Sequence, residues 1–213
     1  MYTDDDEIGR AVAADLEECW QGEGWYRICF TDGMGSYPAT WYGTEADLAD
    51  DLRGAYGDAG EIHLPYAEIS VIDQAVEKVW QGEGWYRVTG GDGSCTLVVT
   101  KGRAVSLLLD GALLARLQLS DGSAASLQQL NGASLSEIVP VSATLDVSGA
   151  VSVQKLSAGS LTLTGSGRLT VGDLNATISG NSTGSVRVVY QSCGAEALRQ
   201  LQKLTLSGGE RFS

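Results

Sequence analysis

The sequence predicts an α+β N-terminal half built from a tandem repeat of about 60 residues, followed by an all-β half of short, regular strands. Three observations predict this division. The octapeptide Trp20–Arg27 recurs letter for letter at Trp80–Arg87. Acidic residues outnumber basic ones 20 to 5 over residues 1–100, but the counts are 7 and 9 over the remainder. Serine rises from 3 residues in the first half to 18 in the second, where apolar and polar residues alternate.

These shifts in composition predict two modules with different roles. We expect an acidic, aromatic-rich α+β duplicated module over residues 1–100, because this half holds all five tryptophans and seven of the eight tyrosines. A Ser/Thr/Gly-rich β module is expected over residues 101–213, with a short C-terminal helix at residues 195–204. The boundary is expected between residues 95 and 125.

Each repeat unit is expected to begin with a helix. Thr3 is a candidate N-cap, and the acidic residues 4–7 that follow it suit the positive end of a helix dipole. Apolar side chains then share one helical face: Ile8, Val12, Leu16 and Cys19 in the first unit, and Ile72, Val76 and Val79 in the second.

The octapeptide is expected to continue each unit as a turn, Gln-Gly-Glu-Gly, followed by an aromatic strand over Trp25–Phe30 or Trp85–Thr89. Asp32-Gly33 and Asp92-Gly93 are hairpin signals that lead to a returning strand. The first unit is expected to add a second helix, which Thr44 caps.

The second half is predicted to consist of strands, because apolar and polar residues alternate in segments such as Leu145–Val147 and Leu161–Leu163. Glycines punctuate it about every ten residues. Strands this short and regular predict a β-solenoid, a β-sandwich or an intertwined fibre. Few aromatic side chains are available to thicken a core, so thin layered stacking is favoured over a wide sandwich.

The duplicated octapeptide is the candidate ligand-binding site. In the functional interpretation its aromatic rings stack on sugars or aromatic ligands while its charged groups form hydrogen bonds. The residues concerned are Trp20, Glu23, Trp25, Arg27, Trp80, Glu83, Trp85 and Arg87. In the structural interpretation the tryptophans pack across a turn whose glycines adopt positive φ. Duplication preserves a core as readily as a site, so both interpretations stay open.

Glu23 and Glu83 are also candidates for the acid and base of a glycoside hydrolase. A duplicated pair has similar environments, whereas this chemistry needs two different pKa values, so we expect no catalytic residues. The single histidine, His63, and four cysteines without metal-ligand spacing predict neither a metal nor a cofactor. The cysteines are expected to be buried free thiols.

Charge and hydropathy exclude two further classes of partner. The net charge of −13 argues against nucleic acid, whose phosphates require clustered Lys and Arg. The longest apolar runs are only a few residues, so we expect no membrane insertion. The acidic first residues are the reverse of a basic signal peptide, which predicts synthesis in the cytoplasm without such a signal.

Residues 145–190 resemble two groups of β-rich proteins. The stretch Leu156–Gly180, LSAGSLTLTGSGRLTVGDLNATISG, is similar to the strand repeats of bacterial adhesin-type β-solenoids and to the shafts of bacteriophage fibre and spike proteins. The resemblance to phage proteins implies a homotrimer in which one module attaches to the particle and the other is exposed. It assigns no site residues.

From these observations we expect a non-enzymatic structural protein of a bacteriophage virion. It would be a fibre, spike or decoration protein that mediates particle assembly or host attachment. Its expected partners are further copies of itself in a homotrimer, other virion proteins and a host-surface glycan. Two alternatives stay open: a monomeric carbohydrate-binding module that uses the duplicated octapeptide, and a cell-wall glycoside hydrolase.

Overall fold

The chain divides between residues 72 and 73 into two structural units. A computed structural model describes residues 5–32, 35–58, 66–71, 76–79, 81, 82, 84–180 and 186–197. The division lies earlier than the expected boundary at residues 95–125, because strands of the second unit already begin at Val76. Expectations for Thr3, His63, Trp80 and Glu83 concern residues outside those described.

The first unit contains two helices and three strands: α1 (Asp5–Cys19), β1 (Gly24–Asp32), β2 (Gly35–Gly43), α2 (Glu45–Asp58) and β3 (Tyr66–Val71). Strand β1 lies between β2 and β3, and both pairs are antiparallel. Asp32 pairs with Gly35 where the β1–β2 hairpin closes, as the Asp-Gly signal predicts. The two helices and the hairpin expected here are therefore present.

The core of the first unit is formed by both helices and strand β1. Tyr26 and Ile28, two residues apart on the strand, project to the same face. Their buried partners are Val12 and Leu16 of α1 and Leu48 and Leu52 of α2. The helical spacing of these apolar residues therefore places them on the inner faces of α1 and α2.

Thr44 caps α2 as the sequence predicts. Its hydroxyl accepts a hydrogen bond from the backbone N–H of Asp47 at 3.3 Å. The Asp47 carboxylate in turn accepts from the backbone N–H of Thr44 at 3.1 Å. This reciprocal pair satisfies two amides that the first helical turn leaves without intrahelical partners.

The second unit is a β-solenoid of two parallel sheets. From β5 onward, successive strands alternate between an odd-strand sheet, in the order β15-β13-β11-β9-β7-β5, and an even-strand sheet, in the order β16-β14-β12-β10-β8-β6. β4 pairs antiparallel with β5 at the end of the odd-strand sheet. The strands are β4 (Val76–Lys78), β5 (Trp85–Val88), β6 (Thr96–Val99), β7 (Ala104–Asp110), β8 (Leu113–Leu119), β9 (Ala124–Leu130), β10 (Ser134–Pro140), β11 (Ser142–Val147), β12 (Ala150–Leu156), β13 (Ser160–Gly165), β14 (Arg168–Leu174), β15 (Thr177–Gly180) and β16 (Arg187–Cys193).

One coil of the solenoid comprises two strands. Ala104 of β7 pairs with Ala124 of β9, so that coil contains 20 residues. Ser160 of β13 pairs with Thr177 of β15, so the later coil contains 17. A strand therefore starts about every ten residues, as the glycine spacing predicts. Of the three all-β architectures expected for this half, the structure is the solenoid.

Stacked aliphatic side chains fill the space between the two sheets. In the even-strand sheet, Leu117, Ile138, Leu156 and Leu174 stand in register on successive strands and are at most 1% exposed. In the odd-strand sheet the corresponding positions include Leu127, which is fully buried. The alternating Leu and Val residues are thus buried within one chain and do not need neighbouring chains to cover them.

The second repeat unit does not reproduce the first. The predicted helix over Ile72–Val79 is wrong at Val76–Lys78, which form strand β4 and pair with β5. Val76 is buried, whereas Glu77 and Lys78 are exposed, and apolar spacing over so few residues fits a strand as well as a helix. Tertiary pairing therefore decided the element.

Two smaller expectations concern the cysteines and the C-terminal helix. All four cysteines are free, but they are half-buried rather than buried. Burial raises the pKa of the Cys19 and Cys193 thiols. Residues 195–197 are helical at the start of the predicted C-terminal helix, whose remaining residues 198–204 lie outside those described.

Candidate functional site

The first copy of the octapeptide forms a turn that Tyr26 closes. The backbone N–H of Gln21 donates to the Tyr26 hydroxyl at 3.0 Å, and this hydroxyl donates to the carbonyl of Gly22. Trp20 stacks on the Tyr26 ring, with ring centroids 4.9 Å apart, and packs against the core. Burial raises the pKa of Tyr26, so its hydroxyl stays protonated and keeps donating.

Trp25 lies on the opposite face of β1 from Tyr26, because adjacent strand residues project to opposite faces. It is 3% exposed, and its ring centroid lies 5.1 Å from that of Tyr42. The Tyr42 hydroxyl donates to the exposed Glu23 carboxylate at 3.3 Å. Arg27 is also exposed. A sugar ring has no access to the face of Trp25 unless the surrounding side chains move.

The second copy has the same local pattern in a different sheet. Gly22 and Gly82 have φ values of +108° and +123°, a region that favours glycine, so both turns begin alike. Tyr86 is buried, as Tyr26 is in the first copy. The octapeptide thus encodes a glycine turn followed by a strand whose tyrosine points inward.

Trp85 and Arg87 project from β5 away from the solenoid interior. Trp85 is half-buried, and the Arg87 guanidinium contacts the Glu77 carboxylate of β4 at 3.0 Å. Trp80 and Glu83 lie outside the described residues. Among the candidates that are described, burial of Trp25 and the packing of Trp20 favour the structural interpretation of the octapeptide.

A ladder of alternating charge runs across the outer face of the even-strand sheet. Arg116, Glu137, Lys155 and Asp173 stand opposite one another on β8, β10, β12 and β14. The Glu137 carboxylate contacts the Arg116 guanidinium at 2.9 Å and the Lys155 ammonium at 3.1 Å. The next position, Ser192 of β16, donates to the Asp173 carboxylate at 2.9 Å. Ion pairs therefore join β8, β10 and β12, and a side-chain hydrogen bond joins β14 and β16.

Glu137 is the centre of this ladder. Its side chain is 17% exposed and also accepts a hydrogen bond from the Ser157 hydroxyl. That hydrogen bond, with those of Lys155 and Arg116, lowers the pKa of Glu137 to about 2 against the opposing effect of desolvation. The carboxylate stays charged down to strongly acidic pH, as a structural group does. Sequence inspection missed the ladder; charges recurring at the coil spacing are the signal that could have found it.

Gln129 joins the two sheets where the coil length changes. Its amide accepts from the backbone N–H of Ser152 at 2.7 Å and donates to the carbonyl of Ser152 at 3.0 Å. The pairing of Leu113 with Ser134 spans 21 residues, whereas that of Leu135 with Val153 spans 18. A side-chain amide thus supplies backbone-like hydrogen bonds to β12 at this step.

A polar groove lies beside this step, on the outer face of the even-strand sheet. Its volume is about 670 Å³, and it crosses β10, β12, β14 and β16. Its polar lining comprises Ser134, Ser152, Gln154, Thr170, Asp173, Gln191 and Ser192. No described residue of either octapeptide copy lines it, so sequence reasoning about the tryptophans did not find it.

The outer face of the odd-strand sheet differs from this groove, because many of its polar side chains bind one another. The Asp146 carboxylate accepts from the hydroxyls of Ser126 at 3.4 Å and Thr164 at 2.9 Å. The hydroxyls of Thr162 and Ser179 lie 3.0 Å apart. These contacts connect neighbouring coils and leave fewer groups for a ligand.

Metal ligation and membrane insertion both bear on the kind of site. Among the described residues, no group of three or more His, Cys, Asp or Glu side chains could hold a metal ion. Neither described helix has the length and apolar character required to span a bilayer. No protein-family model, curated protein or solved structure matches this chain.

Proposed function

We propose that this chain is a non-enzymatic structural protein of a bacteriophage particle, a fibre, spike or decoration protein that acts in assembly or host attachment. The observation that supports it is the β-solenoid of the second unit. Its coils are joined by in-register aliphatic stacks and by the ion pairs of Glu137 with Arg116 and Lys155. Such stacking makes a stiff, extendable body that suits a shaft or spike.

The proposed assembly is a homotrimer held through outer surfaces. The interior of the solenoid is already filled by its own side chains, so chains are not expected to intertwine there. Three large apolar side chains, Leu113, Leu130 and Val141, are more than 40% exposed on the solenoid. A single exposed apolar side chain is common on a protein surface. Burying these three side chains against a neighbouring chain would nevertheless contribute favourable free energy to association.

The test has two measurements on the same protein. Light scattering on the purified full-length chain is expected to give three times the chain mass of 22.3 kDa. Mass spectrometry of gradient-purified particles, from lysed cells that carry the coding sequence, is expected to find this chain in them. A monomer would overturn the trimer, and a chain left wholly in the particle-free lysate would overturn the virion role.

The carbohydrate-binding and glycoside hydrolase alternatives gain no support from the octapeptide. Trp25 is buried, and the Glu23 carboxylate lies on the surface within reach of the Tyr42 hydroxyl. The polar groove on the even-strand sheet of the solenoid is a better candidate for a carbohydrate-binding surface than the octapeptide is.

A further inference from the structure

We infer that the groove on the even-strand sheet is a binding site for a neutral oligosaccharide of about three sugar units. The groove holds about 670 Å³ and crosses four strands. Neighbouring strands lie about 4.8 Å apart, so the groove runs for roughly 14 Å along the solenoid axis, the length of about three sugar rings. This inference does not rest on the virion role, because a monomer with an intact groove would bind equally.

The side chains in the groove have hydrogen-bonding capacity that the protein does not use. Gln154 and Gln191 are exposed and Thr170 is half-buried. Within the described part of the chain, none of these three side chains hydrogen-bonds to another protein group. Each glutamine side chain has N–H donors and a carbonyl acceptor, and the threonine hydroxyl can both donate and accept a hydrogen bond. The groove therefore presents mixed donors and acceptors, which suit the hydroxyl groups of sugars.

The charge of the lining favours an uncharged ligand. No Lys, Arg or His is among the described residues that line the groove, so this lining offers no cation to a phosphate or carboxylate. The one carboxylate in this described lining, Asp173, already accepts hydrogen bonds from Asn175 at 2.8 Å and from Ser192 at 2.9 Å. Asp173 would repel an anionic ligand while its remaining lone pairs can still accept from a hydroxyl.

The backbone at the floor of the groove disfavours peptide recognition by strand addition. The inner strands that it crosses, β10, β12 and β14, each pair with a strand on both sides in one parallel sheet. Most of their N–H and C=O groups are therefore used within the sheet, and those of Ser152 bind the Gln129 amide, so the floor presents side chains to a ligand. A hydroxyl-rich ligand that binds through side chains fits this surface better than an extended peptide does.

The test measures binding of neutral and anionic trisaccharides by calorimetry. Maltotriose, cellotriose and N,N′,N″-triacetylchitotriose are the neutral probes, and trigalacturonate is the anionic one. We expect at least one neutral probe to bind with a Kd of about 1 mM or tighter. The double variant Gln154→Ala/Gln191→Ala is expected to weaken that binding about tenfold, because it removes two sets of hydrogen bonds.

Gln128→Ala is the matched control, since Gln128 lies on the odd-strand sheet and its recorded partner among the described residues is the Ser148 hydroxyl, to which it donates. It is expected to leave the affinity unchanged. Circular dichroism of all three proteins checks that the solenoid is intact. The inference is overturned if no neutral probe binds at about 10 mM, if the double variant binds as well as Gln128→Ala, or if trigalacturonate binds as tightly. Light scattering on the same samples measures the oligomeric state, so the trimer proposal is tested independently of sugar binding.

Discussion

At the scale of the residue, Glu137 holds together three coils of the solenoid. Its carboxylate is contacted by Arg116 from the preceding even strand and Lys155 from the following one. Opposite charges that face each other across strands stabilise one register and penalise a slip, because a slip by one residue would move these groups to the other face. The ladder therefore contributes to specificity as well as to stability.

Replacing Glu137 with Gln is expected to lower the free energy of unfolding by about 1–2 kcal/mol, after discounting for solvent screening on this partly exposed surface. The variant removes the charge but keeps the shape, and it leaves Arg116 and Lys155 without their shared carboxylate. Urea unfolding at neutral pH measures the change. Glu77→Gln, which breaks the exposed pair with Arg87, serves as control and should cost less than about 0.5 kcal/mol.

The same residue predicts a pH dependence. The folded-state pKa of Glu137 is about 2, below its ordinary value of 4.5. A lowered pKa contributes stability that is complete above pH 4.5 and is lost as the pH falls towards 2. The stability difference between the wild type and Glu137→Gln should therefore shrink over this interval. A difference that stays constant with pH would contradict the assigned role.

At the scale of the element, the turns of the solenoid limit which residues they accept. Gly159 precedes β13 and has a φ of +150°, and a Cβ built there would lie 1.7 Å from the carbonyl oxygen of Pro140 at the end of β10. Gly149 precedes β12, and a Cβ there would meet nothing within 4 Å. The structure therefore requires glycine at position 159, whereas it leaves room for a side chain at position 149.

Gly159→Ala is expected to destabilise the solenoid by about 2–3 kcal/mol, because the turn must move away from the Pro140 carbonyl and also adopt a strained φ. Gly149→Ala is the matched control and should change stability by less than about 1 kcal/mol in either direction. Thermal unfolding of both variants measures the contrast. Equal melting temperatures would show that the turn before β13 relaxes freely.

At the scale of the whole molecule, the solenoid unit is stabilised by contacts between neighbouring coils. β8 lies between β6 and β10, and β9 lies between β7 and β11. In the described part of the solenoid, β15 and β16 each have one neighbouring strand. Stability in such an array depends on nearest-neighbour interfaces, so the last coil is the easiest to open.

Hydrogen exchange measured by mass spectrometry should show this order. Amides of β8–β11 are expected to exchange at least about tenfold more slowly than those of β15 and β16, because opening a central strand breaks two interfaces. Non-denaturing pH and temperature keep exchange in the local-opening regime. Uniform exchange across all the strands would mean that the unit opens as a single body, contrary to this expectation.

The sequence by itself determined the period of the second half and much of the local structure. Alternation in segments such as Leu161–Leu163 predicted strands, glycine spacing predicted a strand about every ten residues, and Thr44 marked the start of a helix. These features depend on residues that are close in sequence, so they can be predicted from the amino-acid sequence alone. The identity of the octapeptides likewise predicted their shared turn and strand, as Gly22 and Gly82 show.

Tertiary structure alone decided how these elements were used. The first copy of the octapeptide contributes to an antiparallel hairpin, and the identical second copy contributes to the first strand of a parallel sheet. The two copies differ because the strands available to pair with them differ. It also decided that Trp25 is buried and that Glu137 meets Arg116 and Lys155. Residues 18 to 21 positions apart become neighbours only when the coil length is fixed, and that length depends on the stacking of the whole solenoid.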